Sequence, residues 1–459
     1  MSYVDERIPR TSESALGGEL TQVHPRRAEG VSTRRLVLAL DVLVLLSFVV
    51  AHQDVASVAY AGLTLLALKA ARVYGPRIMP KVGDDLPRIV AAGAVPVLLL
   101  PLITTDAELG AIVTRVPLVL LTLLVGRSLT YAILHRARAT GARHERALIV
   151  GAGDRGLDLA RLLSEHPEYG IEPVGFVDEL ALGELPLPLY GGIQDLPRLA
   201  ETHGVGRVMV AEWDGEDRDL VPAIRACTER HIHVHVAPRL FQLGAAPTTP
   251  STDWIWTTPL VRLPESPQTT RAWRLKRAMD AGFGGLLLFL TSPLYLVIAA
   301  AIRLSGRGPI LFRQVRLTQD GREFELLKFR TLPVNDTSDT SWGAGDLRPT
   351  AVGRLLRKTG LDEMPQLINI VRGDMSLVGP RPERPFFVER FSAEIEGYDD
   401  RLRVPAGLTG WAQVHGLRGD TSIEERSMFD NEYIEYWSLW RDVVILVRTV
   451  KTFVAGEGR

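Results

Sequence analysis

Between Leu36 and Arg138 the chain is organised as four apolar runs, Leu36–Ala51, Val55–Val73, Ile89–Ile103 and Ile112–Leu134, separated by short charged connections. Two are shorter than the roughly 20 residues that cross a bilayer comfortably, yet four in succession point to a membrane unit rather than a buried soluble bundle. Basic residues mark one side of it. Arg34 and Arg35 precede the first run, Lys69, Arg72, Arg77, Lys81 and Arg88 crowd the second connection, and Arg136, Arg138, Arg143 and Arg146 follow the fourth run. The first connection, His52-Gln53-Asp54, has no lysine or arginine, and the third has only Arg115. The positive-inside tendency therefore predicts that both ends of the unit are cytoplasmic. Asp41, inside the first run, is expected to face other helices rather than lipid. Residues 1–31 are polar and without apolar period, which predicts a disordered tail, and nothing at the N-terminus reads as a cleaved signal.

The period then changes. An apolar strand from Arg146 runs into Gly151-x-Gly153-x-x-Gly156 and a helical pattern, and a second strand, Val174–Asp178, follows; further strands read at Val208–Ala211 and His233–Val236. This is a Rossmann-like nucleotide fingerprint in a strand–turn–helix setting, with Gly151, Gly153 and Gly156 as the phosphate turn and Asp178 in the ribose-binding position. No Tyr-x-x-x-Lys pair follows, as a sugar-nucleotide dehydratase or epimerase of this fold would need. A supporting, dimerising or nucleotide-sensing role is expected ahead of genuine NAD binding. His231, His233 and His235 alternate along a strand; with no cysteine or carboxylate to complete a zinc set, they predict an exposed strand face.

Residues 246–270, rich in Pro, Thr and Ser, read as a linker. Ala278–Ile302 is apolar, broken at Ser292-Pro293 and flanked on both sides by basic residues. It is long enough to span, but two basic flanks both favour the cytoplasmic side and proline breaks the helical ladder. The segment is therefore expected to enter the membrane and return. Phe312–Arg330 reads as strand, turn and strand with Asp320-Gly321 at the turn, and Tyr433–Phe453 as a helix at the membrane interface or in a core.

The chemistry is concentrated in Arg354–Glu383. Asp362 and Glu363 stand side by side ahead of Pro365, which is tolerated only at the start of a helix. A short helix is expected to begin near the acidic pair, carry Leu367, Ile368, Ile370 and Val371, and end at Arg372-Gly373. Neighbours on a helix point about 100° apart, so the two carboxylates cannot serve one atom in the same way. Arg381, between Pro380 and Pro382, sits on a stiff backbone, and a planar guanidinium suits phosphate. Lys328 and Arg330 bring further positive charge. The whole chain adds two exclusions. With 53 basic and 54 acidic side chains the formal net charge is −1, so no global field favours nucleic acid. The single cysteine, Cys227, rules out an internal disulfide.

From about Lys276 to the C-terminus the chain resembles the polyprenyl-phosphate phosphoglycosyl transferases, or bacterial sugar transferases. The likeness rests on Lys276-Arg277-Ala-Met-Asp280, Ser292-Pro293, Gly308-Pro309-Ile-Leu-Phe312, Lys328-Phe-Arg-Thr331, Leu361-Asp-Glu-Met-Pro-Gln-Leu367, Gly379-Pro-Arg-Pro382 and Pro405-Ala-Gly-Leu-Thr-Gly-Trp-Ala-Gln413. Thr318 stands where the family usually has glycine, and Leu332-Pro333 departs from the more usual methionine. The resemblance implies transfer of a sugar-1-phosphate from a UDP-sugar to polyprenyl (undecaprenyl) phosphate with release of UMP, at the start of exopolysaccharide, capsule or O-antigen assembly. It also implies Asp362 as nucleophile, Glu363 as a Mg²⁺ ligand, and Lys328, Arg330 and Arg381 as phosphate-neutralising cations.

The expected architecture is thus a four-helix transmembrane bundle (32–139), a Rossmann-like α/β domain (140–245), the linker, and an α/β-type catalytic domain (271–459) with a re-entrant helix at 278–302. Both folded domains are expected on the cytoplasmic side of the plasma membrane. The expected partners are the UDP-sugar, polyprenyl phosphate, the bilayer and a second copy of the chain. The competing readings are an NAD-dependent sugar-nucleotide enzyme and a non-catalytic nucleotide-sensing scaffold.

Overall fold

The computed structural model describes residues 33–75, 77–141, 144–180, 183–243, 245, 251–306, 308–332, 349–419 and 421–454. The expected polar tail, 1–31, lies outside them. The chain divides into two compact units, Met1–Pro264 and Glu265–Arg459.

The first unit begins with helices α1 (Thr33–His52), α2 (Val55–Ala70), α3 (Val82–Leu99) and α4 (Asp106–Ala139). By length and composition α1, α3 and α4 are apolar enough to cross a membrane, and α2 is a shorter apolar helix. Their outer faces carry exposed Leu43, Leu46, Leu98, Leu118 and Ile133, an apolar belt of the kind a bilayer covers. This is a membrane-associated protein. Asp41 turns inward as expected, into a polar cluster that ties three helices together. Its carboxylate accepts from Arg127 of α4 and, at 2.7 Å, from the Tyr74 hydroxyl. Arg127 also reaches Asp85 of α3 at 3.2 Å, and Tyr131 and Arg77 each bond Asp85 at 2.7 Å. Buried charges of this kind persist when paired.

After α4 the chain alternates β1 (Glu145–Val150), α5 (Asp154–Glu165), β2 (Ile171–Val177), α6 (Leu196–Thr202), β3 (Arg207–Val210), α7 (Asp217–Glu229) and β4 (His233–Val236). These four strands pair in parallel in the order β2-β1-β3-β4, and two more strands extend the sheet beyond β4. The last two strands correct the linker reading of 246–270: β5 (Thr252–Ile255) and β6 (Thr258–Arg262) form an antiparallel hairpin that closes the β4 edge. The Pro- and Thr-rich composition hid it, because its alternation is short and an edge strand needs little apolar pattern. The hairpin also corrects the exposed-histidine reading. His235 is buried between Arg207 and Asp253, and burial pushes its imidazole down to about 4 against the pull of Asp253. His231 precedes the strand, at φ 61°.

The second unit opens with α8 (Arg271–Leu304), followed by the antiparallel hairpin β7 (Leu311–Leu317) and β8 (Glu323–Phe329). Asp320 and Gly321 make the turn with φ of 57° and 71°. Thr318, unusual for the motif, is buried here and bonds the Asp374 carbonyl at 2.8 Å and the Ala406 N–H at 3.1 Å. Then come α9 (Ala351–Thr359), α10 (Gln366–Arg372), β9 (Ser376–Val378), α11 (Pro385–Glu394), β10 (Gly407–Thr409), α12 (Trp411–Val414), α13 (Ile423–Glu435) and α14 (Leu439–Val454). The single helix expected over Tyr433–Phe453 is therefore two, divided after Glu435. A core of Phe324, Leu326, Ile370, Leu377, Val404, Tyr433 and Ile445 joins strand, helix and C-terminal helices.

Candidate active site

Three segments separated in sequence meet at the acidic pair. Helix α9 is capped at its start by Thr350, whose hydroxyl accepts the Gly353 N–H at 2.9 Å, and stopped by Gly360 in the left-handed region, φ 65°. The chain then makes one 3-10 turn, Leu361–Glu363, before Pro365 leads into α10. The helix after the pair ends at Arg372-Gly373 as expected, but the carboxylates precede it, in a turn of their own. Gly360 reverses the backbone, so the pair is held at a corner between two helices.

The corner faces the end of β8 and the turn after β9. Lys328 Nζ lies 2.6 Å from Glu363 Oε1, and Arg381 Nη2 lies 3.1 Å from the same oxygen. Burial alone would raise the Glu363 carboxyl, but Lys328 and then Arg381 hold it well below the usual carboxylate range. Asp362 has the opposite environment. Burial and then the neighbouring Glu363 charge raise its carboxyl, with Lys328 and Arg357 opposing. Among the described residues no side chain bonds the Asp362 carboxylate. One carboxylate is thus held as an anion between two cations, while its neighbour has no side-chain partner among the described residues. Such a divergence of environments separates roles between adjacent acids.

The expected phosphate-binding cations do not all converge. Lys328 and Arg381 reach Glu363, whereas Arg330, buried just past β8, donates to the Gly306 carbonyl at 3.1 Å beyond the end of α8. Behind Arg381 stands a layer that the sequence reading missed. Arg401 donates to the Arg381 carbonyl at 2.9 Å and pairs with Asp430 at 2.7 Å, the two side chains only 3% and 2% exposed. Arg316 bonds the Pro382 carbonyl at 3.0 Å and Glu383 at 3.2 Å, and Arg426 lies 3.6 Å from the other Glu383 oxygen. Close strand approach sets the loop's exit: the Gly407 N–H bonds the Pro380 carbonyl at 2.7 Å, and a Cβ on Gly407 would lie 2.1 Å from Gly379 N. One signal was available, since Arg426 and Asp430 are four residues apart and share a helix face.

Residues 271–456 match the bacterial sugar transferase family and residues 86–238 a family described as a CoA-binding domain. The chain is 34% identical over 333 residues to a UDP-glucose:undecaprenyl-phosphate glucose-1-phosphate transferase of Klebsiella pneumoniae, covering 71% of each chain. It is 35% identical over 320 residues to the protein of that name from Escherichia coli strain K12, covering 68% of each. The chain belongs to the bacterial sugar transferase family. A third member, the exopolysaccharide production protein ExoY of Rhizobium meliloti, is 37% identical over 200 residues, covering 40% of this chain and 87% of that one. This sugar transferase is therefore a phosphoglycosyl transferase of the large form, with a membrane region and an α/β domain ahead of the transferase unit.

Proposed function

We propose that this sugar transferase moves a sugar-1-phosphate from a UDP-sugar to polyprenyl phosphate at the cytoplasmic membrane face, releasing UMP, as the first step of a surface polysaccharide. The observation that carries the reading is Asp362, bonded by no side chain among the described residues, beside a Glu363 held by Lys328 and Arg381. A carboxylate oxygen of Asp362 attacks the sugar-bearing phosphorus, and the P–O bond to UMP breaks with its electrons leaving on UMP. An oxygen of polyprenyl phosphate then attacks the same phosphorus and frees the Asp362 carboxylate. Splitting one transfer into two displacements is the benefit of a covalent nucleophile. Lys328 and Arg381 lie where charge accumulates on the transferring group. Relatives named for UDP-glucose make glucose the first donor to try.

The donor set suits Mg²⁺, which binds through one or two carboxylates plus substrate phosphates. Both described bonds to Glu363 fall on Oε1, leaving Oε2 for the ion, and no cluster of three His, Cys, Asp or Glu is found among the described residues. Bound there with the substrate diphosphate, the ion would supply further neutralisation of phosphoryl charge. In lipid nanodiscs, a UDP-sugar alone is expected to release no more than one equivalent of UMP per chain, with continued release only when polyprenyl phosphate is present, and Glu363→Gln should raise the Mg²⁺ concentration required. No UMP from any UDP-sugar would favour the scaffold reading instead.

The proposal extends to α8 as a re-entrant helix. Its two halves pack on one unit: Asp280 accepts from the Ser376 hydroxyl at 2.7 Å and the Leu377 N–H at 3.2 Å, while Ile298 and Ile302 pack with Phe329 and Leu356. Between them Phe289 and Leu296 are each 75% exposed. Pro293 leaves the Phe289 carbonyl without its helical donor, and the Ser292 hydroxyl supplies one at 2.7 Å. Single cysteines at Arg271 and Ser305 in a Cys227→Ser background should both resist an impermeant thiol reagent until cells are opened. Labelling at Ser305 alone would mean that α8 crosses. The parallel sheet, with its glycine turn after β1, is read as a Rossmann-like support domain on the same side.

A further inference from the structure

The glycine-rich turn is the one motif that sugar-phosphate transfer leaves unused. In an open α/β sheet, ligands bind beyond the carboxyl ends of the strands where the strand order reverses. In this sheet that place lies between β1 and β3, whose following loops carry Gly151–Gly156 and Glu212. The side chain of Glu212 lies on the turn. A Cβ on Gly153 would stand 2.1 Å from Glu212 Oε1, and one on Gly151 would stand 2.8 Å from Glu212 Cγ and 2.5 Å from its carbonyl oxygen. The Gly156 N–H, in the first turn of α5, is near enough to the same carboxylate to favour its charged form. Oε1 accepts no hydrogen bond among the described residues, so fit against Gly153 helps set its position.

The other fingerprint residues are also committed internally. Gly156 is required by the Gly151 carbonyl, which would lie 2.0 Å from a Cβ there. Asp178, expected to hold a ribose, accepts the Ala152 N–H at 2.7 Å with one oxygen and the Glu179 N–H at 2.7 Å with the other. Every residue of the pattern thus has a reason for its identity that involves no cofactor. Electrostatics point the same way. A helix N-terminus attracts one anion, and here a carboxylate takes that place. Burial and then Asp214 raise the Glu212 carboxyl, with Arg155 and the Gly156 N–H opposing and Asp154 adding to the rise, so the turn already holds as much negative charge as its surroundings favour. A pyrophosphate would have to displace Glu212 and then sit among Asp154, Asp178 and Asp214.

We infer that Glu212 is the resident anion of the glycine-rich turn and closes this domain to phosphate-bearing cofactors, dinucleotides and coenzyme A included. The turn is a strand-to-helix joint that keeps the shape of a phosphate site and supplies its own ligand. The residues do not fit the cofactor that the fold family implies, and the inference does not depend on the transferase reading.

The experiment titrates the full chain in nanodiscs with radiolabelled ADP, NADH and coenzyme A, following the ligand that the nanodiscs retain. Wild type should show no saturable binding up to about 1 mM, a concentration that detects binding stronger than about −4 kcal/mol. Glu212→Ala, and Glu212→Gln as a variant that keeps the shape and loses the charge, should gain saturable ADP binding by about tenfold or more in affinity. UMP release should be unchanged in both, which separates this result from any failure of the catalytic reading. Saturable binding of any of the three by wild type would overturn the inference. So would an absence of binding in both variants, since Glu212 would then not be what closes the turn.

Discussion

Asp362→Asn is expected to abolish labelling of the protein by a UDP-sugar carrying ³²P at the β-phosphate and to lower UMP release by about 10³-fold or more. The amide keeps the size of the carboxylate and loses the charge that attacks phosphorus. The expected gain in stability separates this from a folding defect. Because burial and Glu363 raise the Asp362 carboxyl in the folded chain, protons bind the folded state more tightly there. Ionised Asp362 therefore costs stability at neutral pH, and that cost fades as pH falls. The asparagine variant should melt no lower than wild type, and labelled, active Asp362→Asn protein would end the assignment. The same shift sets the pH profile. Since the attacking form is the anion, kcat/KM should fall as pH drops through a value above that of an ordinary aspartate. Arg357 lowers the Asp362 carboxyl and bonds the Thr331 hydroxyl at 3.0 Å rather than Glu363. Arg357→Met should move the acid limb upward, and an unmoved limb would mean that the limb reports another group.

Asp430→Ala should be the most destabilising single change in the transferase unit. It leaves the Arg401 guanidinium, raised further by Asp430 against the effect of burial, without its partner in the interior, a loss of about 3–5 kcal/mol. Chemical denaturation in detergent would measure it. The consequence reaches the site, because Arg401 also bonds the Arg381 carbonyl. The pair Arg401→Met with Asp430→Leu fills the space with apolar groups and should recover most of the stability. It should not recover activity, and the deficit should appear mainly as a raised KM for the UDP-sugar, since the Arg381 loop has lost a backbone anchor. Full recovery of activity by the double variant would show that the pair serves the fold alone.

Features encoded within one short stretch of this chain were legible without the fold. Four apolar runs became four helices because length and composition alone decide whether backbone groups can leave water. The strand leading to Gly151 and the helix after Gly153 were legible because a strand, a glycine turn and a helix are a single local unit. The acidic pair, its proline and the stop at Arg372-Gly373 were legible for the same reason. The sequence also pointed to Lys328 and Arg381 as companions of that pair, through resemblance.

What the tertiary structure decided is pairing between distant residues. Periodicity says which face of an element is buried, and not what it is buried against. Nothing local distinguishes Arg330, which turns to Gly306, from Lys328, two residues earlier, which turns to Glu363. Arg127 in an apolar run, Arg401 beneath Arg381 and the hairpin at Thr252–Arg262 each owe their role to a partner far along the chain. Glu212 shows the limit most sharply. The Gly151–Gly156 pattern encodes a turn that accepts a close neighbour, and only the packing of the loop after β3 onto the loop after β1 determined that the neighbour is the chain's own carboxylate.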